Sequence, residues 1–174
     1  FDTSQLPRSG ERRRPGESSY SNPCEVKEVV AHLKRIDYLL ANQRMDLEPI
    51  SVLLLAPYAA QVMALHRAVS RVSLACSALS VEVNTVDAAQ GREADVLMFS
   101  ATRCNERGML GFVSDFARSN VALSRGRFLL SVFGDAPFFD AANGPLTDVI
   151  RHVRTNPSAC SICLLYTSPS PRDS

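Results

Sequence analysis

Short apolar runs that alternate with amphipathic stretches constrain the fold of this chain more than any other feature. The run Ile50–Pro57 is almost entirely apolar and ends at a proline, which is typical of a strand buried on both faces. Further strands are predicted over 81–86, 95–101 and 128–135, the last again as a buried strand. Strands in alternation with helices indicate a mainly parallel sheet covered on both faces, an α/β three-layer domain.

Four amphipathic helices are predicted beside these strands. The first begins favourably, because Asn22 can act as N-cap, Pro23 occupies the first helical position and Glu25 completes a capping box. The predicted helices cover 21–42, 59–79, 114–127 and 145–156. Gly126 lies inside the third of them, where a glycine would weaken the helix by about 1 kcal/mol.

The chain has 174 residues and is predicted to form one domain with two flanking segments. Residues 1–21 are expected to form an initial strand and a loop, and 22–162 the folded domain. Residues 163–174 include CLLYTSPSPRD, which matches the translation of a sequencing-library adapter. This segment is therefore expected to be a non-native tail, and the pair Cys160/Cys163 is set aside with it.

Composition narrows the class of protein. A hydrophobic fraction of 45% with 21% charged residues indicates a folded chain, and a net charge of +1 leaves only a local patch for binding nucleic acid. No apolar run reaches the roughly 18 residues that would span a bilayer, and no signal peptide opens the chain. We expect an intracellular protein that does not associate with membranes, with the cytoplasm and the nucleus both left open.

A polar turn with one glycine, Gln90-Gly91-Arg92-Glu93, leads into the predicted strand 95–101. Gly91 would let the backbone approach a phosphate closely, while Gln90 and Glu93 could bond to a nucleotide. The turn follows the end of strand 81–86, and parallel sheets bind ligands at the carboxyl ends of their strands. A turn with no ligand is the competing interpretation.

Arginines near the end of the third predicted helix form a second candidate site. Arg125 and Arg127 would point apart on one helix, so that one could face a ligand and the other solvent or an acidic neighbour. Arginines at a helix end also complement the helix dipole, which is the structural alternative. The run Arg12-Arg13-Arg14 is interpreted as a solvated loop.

Two absences limit what the chain can do alone. Neither a Walker A loop nor a G-x-G-x-x-G pattern occurs in the sequence, so this chain by itself is not expected to hydrolyse a nucleotide. The three histidines, His32, His66 and His152, are too scattered to predict a metal site.

Four segments, taken in order, resemble the motifs of the second RecA-like domain of superfamily 1 helicases, in the branch of the nonsense-mediated-decay RNA helicase. LLLAPYAAQ resembles motif IV, with Ala56 in place of threonine, and NTVDAAQGREADVLMFSATR resembles motif V. GFVSDFARSNVALSRGR resembles motif VI, and GESSYSNPCE resembles the G-x-S-x-x-N-x-x-E run before the first helix. The resemblance covers nearly all of residues 1–155.

The resemblance implies a RecA-like, P-loop-NTPase-type fold that forms the C-terminal, AAA-type motor half of an ATP-dependent helicase. ATP with Mg²⁺ would be shared with a first RecA-like domain that carries the metal ligands, and single-stranded RNA or DNA would be the other partner. The residues implied are Arg125 as the catalytic arginine finger, Gln90, Gly91, Glu93, Arg127 and Arg118 around the nucleotide, and Thr85, Pro57 and Tyr58 at the nucleic acid. Asn22 and Glu25 are better explained by capping.

The alternative interpretation is a non-catalytic nucleic-acid-binding or interaction module of a degenerate helicase. A doubly wound dinucleotide-binding domain is a third interpretation, but it needs a glycine fingerprint that the sequence lacks.

Overall fold

The computed structural model describes residues 1–6, 10–41, 48–72 and 78–165. Its central feature is a four-stranded, all-parallel sheet in the order β2-β1-β3-β4. The elements are α1 (Pro23–Ala41), β1 (Ile50–Ala56), α2 (Ala59–Arg71), β2 (Leu79–Thr85), β3 (Ala94–Ser100), a 3₁₀ turn (Gly111–Ser114), α3 (Phe116–Leu123), β4 (Gly126–Phe133), α4 (Ala136–Ala142) and α5 (Pro145–Thr155).

The core lies on both faces of this sheet, as the apolar runs predict. Leu53 and Leu55 of β1 face a cluster that includes Ala122 of α3 and Leu146 of α5. Their neighbours in β1 face the opposite cluster, which contains residues of α1 and α2 such as Leu33 and Leu65. Because successive strand residues point to opposite faces, a continuous apolar strand has to be covered from both sides. The predicted three-layer α/β architecture is confirmed.

The start of α1 follows the predicted cap only in part. The Asn22 side chain accepts a hydrogen bond from the Glu25 backbone N–H at 3.3 Å, and Pro23 occupies the first helical position. The backbone N–H of Asn22 donates to Gln61 at 2.8 Å, and the Asn22 side-chain amide donates to the Glu25 carboxylate at 3.2 Å. The Glu25 carboxylate also bonds to groups elsewhere in the core.

The third helix is shorter than predicted. α3 ends at Leu123, and β4 already begins at Gly126, so Gly126 and Arg127 belong to a strand. A Cβ atom at Gly126 would lie 2.9 Å from both the Leu129 carbonyl oxygen and the Leu97 Cβ. The glycine is therefore required by close packing between strands, and the expected cost to a helix does not apply.

The strand β4 lies at the edge of the sheet, which contradicts its prediction as a buried strand. Its first half is exposed, with Phe128 at 84% relative accessibility, while Ser131 and Phe133 at its end are buried. An apolar run alone does not say whether a strand has neighbours on one side or on two.

The helix α4 is absent from the sequence-based prediction. Asp135 caps it by accepting a hydrogen bond from the Phe138 N–H at 2.9 Å, and Pro137 lies in its first turn. Both features stand in the sequence, and together they are a standard signature of a helix start.

The initial segment and the beginning of the tail lie beside the end of β4. Asp2 forms parallel bridges with Gly134 and with Leu164, and its N–H donates to the Cys163 carbonyl at 2.8 Å. The predicted non-native tail therefore contacts the domain over its first residues, while 166–174 lie outside the described residues. The boundaries at 21/22 and 162/163 remain predictions.

Candidate nucleotide and nucleic-acid sites

The residues implied at the nucleic acid lie together at the carboxyl ends of β1 and β2. Ala56 and Thr85, the last residues of these strands, are register partners, and Pro57 and Tyr58 follow Ala56 directly. The Thr85 hydroxyl accepts a hydrogen bond from the Ala88 N–H at 3.2 Å and so starts the turn after β2. Because the strands are parallel, their carboxyl ends lie at the same end of the sheet, and these residues come together there although they are distant in the sequence.

Residues of the protein interior fix the position of Tyr58 by hydrogen bonds to its hydroxyl group. The hydroxyl accepts hydrogen bonds from Arg103 Nη1 and from the Phe112 N–H, each at 3.1 Å. Gly111, with φ of +58°, packs so closely here that any side chain would collide with Arg103 and Tyr58. The hydroxyl oxygen thus already accepts two hydrogen bonds, so what Tyr58 offers a ligand is its ring and its own O–H donor.

Arg103 is a site residue that the sequence analysis missed. It is only 5% exposed, and its guanidinium donates to both carboxylate oxygens of Glu11, at 2.6 and 3.2 Å. Its charge is also 4.3 Å from the centre of the Tyr20 ring. A buried arginine paired in this two-pronged way fixes its neighbours, here Tyr58 and the segment around Glu11. No local pattern marks it, because Glu11 and Arg103 are far apart in the sequence.

A buried network around Glu25 orients the chain that leads to Arg103. The Glu25 carboxylate accepts hydrogen bonds from the Ser100 hydroxyl at 2.5 Å and from the Thr102 N–H at 2.8 Å. Thr102 has φ of +72°, a left-handed conformation that non-glycine residues seldom adopt and that surrounding contacts must enforce. Burial raises the pKa of Glu25 to about 8 despite these hydrogen bonds. Glu25 is thus a structural anchor beyond its place in the capped first turn.

Gln61 completes this network. It donates to the Ser100 hydroxyl at 2.7 Å and accepts from the Asn22 N–H at 2.8 Å, and its side chain is fully buried. It is the glutamine of the segment LLLAPYAAQ, whose resemblance to motif IV gave this residue no role. Its position links the starts of α1 and α2 to the end of β3.

The turn at Gln90 occupies a different place from the one expected. It begins beyond the carboxyl end of β2 but ends at Glu93, immediately before the amino end of β3. Because β2 and β3 are parallel, residues 86–93 have to run from the carboxyl end of β2 back to the amino end of β3, passing β1, which lies between them. Gln90 and Glu93 are exposed, and so is Gly91, whose φ is +81° and whose Cβ position is open space.

The arginines of the second candidate lie beside this turn. The Ala94 N–H donates to the Arg125 carbonyl at 3.0 Å, and Arg127 pairs with Glu93 at 3.5 Å. The turn and the two arginines therefore converge at the amino ends of β3 and β4, although more than 30 positions of sequence separate Glu93 from Arg125 and Arg127. Arg118 lies elsewhere: its partner Asp87, at 3.8 Å, follows the carboxyl end of β2, and its guanidinium is 5.0 Å from the centre of the Phe112 ring, beside Tyr58.

Arg125 differs from Arg118 and Arg127 in the groups that its guanidinium contacts. Its Nε donates to the Val121 carbonyl at 2.8 Å and its Nη2 to the Ser124 hydroxyl at 3.2 Å, so the guanidinium caps the end of α3. Among the described residues no carboxylate lies within ion-pair distance of it, whereas Arg127 faces Glu93 and Arg118 faces both Asp87 and Asp115. Its positive charge is thus uncompensated, which suits an anion such as phosphate.

Two groups at this surface are of kinds that bind phosphate in proteins: a guanidinium without a carboxylate partner, at Arg125, and an exposed glycine backbone, at Gly91. In the part of the chain that the structure describes, no three His, Cys, Asp or Glu residues come together in a way that could hold a metal. None of the described helices is long and apolar enough to cross a membrane.

Comparison with known proteins shows which protein family this chain resembles. A family model described as "AAA domain" matches residues 1–137. The DNA replication ATP-dependent helicase/nuclease DNA2 of Xenopus laevis is 39% identical over 118 residues, which are 67% of this chain and 10% of that protein. The Regulator of nonsense transcripts 1 homolog of Drosophila melanogaster is 46% identical over 55 residues, 32% of this chain and 5% of that protein. Helicase SEN1 of Saccharomyces cerevisiae is 28% identical over 119 residues, 67% and 5% respectively.

The chain belongs to this AAA-domain family. With its parallel sheet covered on both faces, it is a superfamily 1 helicase domain of the RecA-like three-layer type, as the motif resemblance implies. It spans a tenth or less of the length of each of these three relatives.

Proposed function

We propose that this chain is the C-terminal motor half of an ATP-dependent RNA or DNA helicase. The observation that carries the proposal is the convergence of the exposed Gln90–Glu93 turn with Arg125 and Arg127, through Ala94–Arg125 at 3.0 Å and Glu93–Arg127 at 3.5 Å. These residues belong to segments that resemble two different helicase motifs, and their meeting on one surface supports a shared nucleotide site.

In this function ATP supplies the free energy through transfer of its terminal phosphoryl group to water, with Mg²⁺ held by acidic residues of a first RecA-like domain. Arg125 is the proposed arginine finger, because its guanidinium lacks a carboxylate partner and can stabilise charge on transferring oxygens. Gly91 gives a phosphate access to the backbone, and Gln90 and Glu93 bond to the nucleotide. Arg127 holds this surface through its ion pair with Glu93, while Arg118 pairs with Asp87 beyond the carboxyl end of β2 and is proposed to support the cleft from there.

The nucleic acid is proposed to cross the opposite edge of the sheet. Thr85, Pro57 and Tyr58 lie there on two paired strand ends, and the ring of Tyr58 is fixed by Arg103 and Phe112. With the nucleotide and the nucleic acid bound at opposite ends of the parallel strands, one domain can respond to both ligands. The protein is further proposed to act inside the cell, in the cytoplasm or the nucleus.

One observation favours the alternative, a non-catalytic nucleic-acid-binding or interaction module. Arg125 has two hydrogen-bond partners in its own helix end, so a structural role explains its position without any nucleotide. The two functions differ in what the loss of this side chain would do.

The test is Arg125→Ala in the full-length protein, with ATP turnover, ATP affinity and melting temperature measured together. A finger acts on charge that develops in the transition state, so turnover should fall about 10³-fold with little loss of ATP affinity. Arg151→Ala is the matched control, since Arg151 is also exposed but pairs with Asp148 on α5. Near-normal turnover with a lowered melting temperature would identify Arg125 as a helix cap and contradict the arginine-finger assignment. A lack of ATP turnover by the wild-type full-length protein would contradict the motor assignment.

A further inference from the structure

A short hairpin, residues 12–21, carries the arginine run that the sequence analysis assigned to a solvated loop. Arg12 and Ser21 exchange both backbone hydrogen bonds, at 2.7 and 2.9 Å. Its tip has the features of a type II turn, with Pro15 followed by Gly16 at φ of +81° and a hydrogen bond from the Glu17 N–H to the Arg14 carbonyl at 3.1 Å. The hairpin therefore has a defined conformation.

Several contacts attach the hairpin to the carboxyl end of β1, which Tyr58 follows. Glu11, next to Arg12, forms the buried ion pair with Arg103. From the returning segment of the hairpin, the Ser19 hydroxyl accepts a hydrogen bond from the Ala60 N–H at 2.9 Å, and the Tyr20 ring meets the Tyr58 ring edge-on at 5.3 Å. These contacts place the arginines beside the proposed path of the nucleic acid.

The charge of the hairpin is not balanced by neighbouring carboxylates. Glu11 is neutralised by Arg103, and Glu17 lies 3.7 Å from Arg14 in an exposed pair. Arg13 is exposed, and among the described residues no carboxylate lies within ion-pair distance of it. Its guanidinium is instead 5.7 Å from the centre of the Tyr20 ring. A chain with a net charge of +1 thus has a concentrated positive patch at this edge.

We propose that Arg13 contacts a phosphate of a single-stranded nucleic acid as the strand passes Tyr58. The cation–π contact with Tyr20 holds the guanidinium in place before binding, so that less side-chain freedom is lost when the phosphate is bound. Tyr20 and Arg103 act as positioning residues. The proposal rests on the nucleic-acid part of the proposed function and extends it to a surface beyond Thr85, Pro57 and Tyr58.

The test compares Arg13→Gln with Arg35→Gln in the 174-residue chain, because Arg35 is also an exposed arginine and lies on α1. Binding of fluorescein-labelled oligouridine and oligothymidine is measured by anisotropy over a series of salt concentrations, starting at low ionic strength. Each phosphate contact on a single strand contributes about 0.7 to the slope of log K against log salt. Arg13→Gln should lower that slope by about 0.7 and weaken binding about five-fold at 0.1 M salt.

Further outcomes decide between a phosphate contact and a general effect of charge. Arg13→Lys keeps the charge and should keep most of the slope, while Arg35→Gln should bind like the wild type. An equal loss for Arg13→Gln and Arg35→Gln, or no binding by the wild type even at low salt, overturns the proposal. A loss limited to RNA or to DNA also overturns it, because both share the phosphodiester. Failure of the motor assignment would appear separately, as a lack of ATP turnover by the wild-type full-length protein.

Discussion

At the scale of the residue, Glu25 shows how the fold changes the chemistry of a side chain that looks like an ordinary helix cap. Its carboxyl group is fully buried against Ser100 and Thr102, and burial raises its pKa from the ordinary value of 4.5 to about 8. A raised pKa in the folded state gives stability that is complete below pH 4.5 and is lost as pH rises through about 8.

We therefore expect Glu25→Gln to remove part of the pH dependence of stability. Relative to the variant, the wild type should lose stability between about pH 5 and pH 9, because glutamine cannot ionise. The measurement is the melting temperature of both proteins across that range. A difference that changes by roughly 3 °C or more corresponds to about 1 kcal/mol for a chain of this length.

His32 provides the internal control for this experiment. Burial lowers its pKa to about 4, so its protonation destabilises the fold as pH falls below about 6.5 in the wild type and in the variant alike. The difference between the two proteins cancels this contribution. A melting-temperature difference that stays constant from about pH 5 to about pH 9 would show that Glu25 does not titrate in this range.

At the scale of the element, the boundary between α3 and β4 decides what Gly126 does. In the interior of a helix, Gly126→Ala would stabilise the protein by about 1 kcal/mol. In the strand, the new methyl group would meet Leu129 and Leu97 at 2.9 Å, and overpacking should destabilise the fold by about 1–3 kcal/mol. The sign of the change in the free energy of unfolding, measured by urea denaturation, therefore separates the two boundaries.

Gly10→Ala is the matched control for that substitution. The nearest atom to its added Cβ is the Cys104 carbonyl oxygen, at an ordinary 3.9 Å, so the free energy of unfolding should change little. Stabilisation by Gly126→Ala would instead mean that the helix extends to Arg127, as its amphipathic pattern predicts.

At the scale of the whole molecule, the sequence has no Walker A loop. In the proposed function Arg125, which has no carboxylate partner, adds a guanidinium to a nucleotide site whose phosphate loop lies in another domain. The purified 174-residue chain is expected to release no phosphate from ATP above background, with or without nucleic acid. The check is a steady-state phosphate-release assay, with the full-length protein as the positive control. Turnover by the chain alone would show that its nucleotide site is self-contained.

Much of this protein follows from local patterns. Apolar runs such as Ile50–Ala56 predict strands buried on both faces, and their alternation with helices predicts the three layers, because the spacing of apolar residues fixes which faces must be covered. The Asn22 cap and the start of α1 follow from side-chain chemistry within one helical turn. The polar turn and the arginines near a predicted helix end made Gln90, Glu93 and Arg125 candidate nucleotide residues, and the motif resemblance then implied a role for each.

Tertiary structure alone decided which distant residues meet. The order β2-β1-β3-β4 makes β4 an edge strand, and the parallel direction of β2 and β3 sends residues 86–93 back along the sheet. The Gln90–Glu93 turn, Arg125 and Arg127 therefore lie at the opposite end of the strands from Thr85, Pro57 and Tyr58. Glu11 pairs with Arg103, and Glu25 reaches Ser100, across long stretches of chain. Periodicity determines the face on which a side chain lies, whereas its partners depend on the order and direction of the strands. Those are fixed only when the whole sheet assembles.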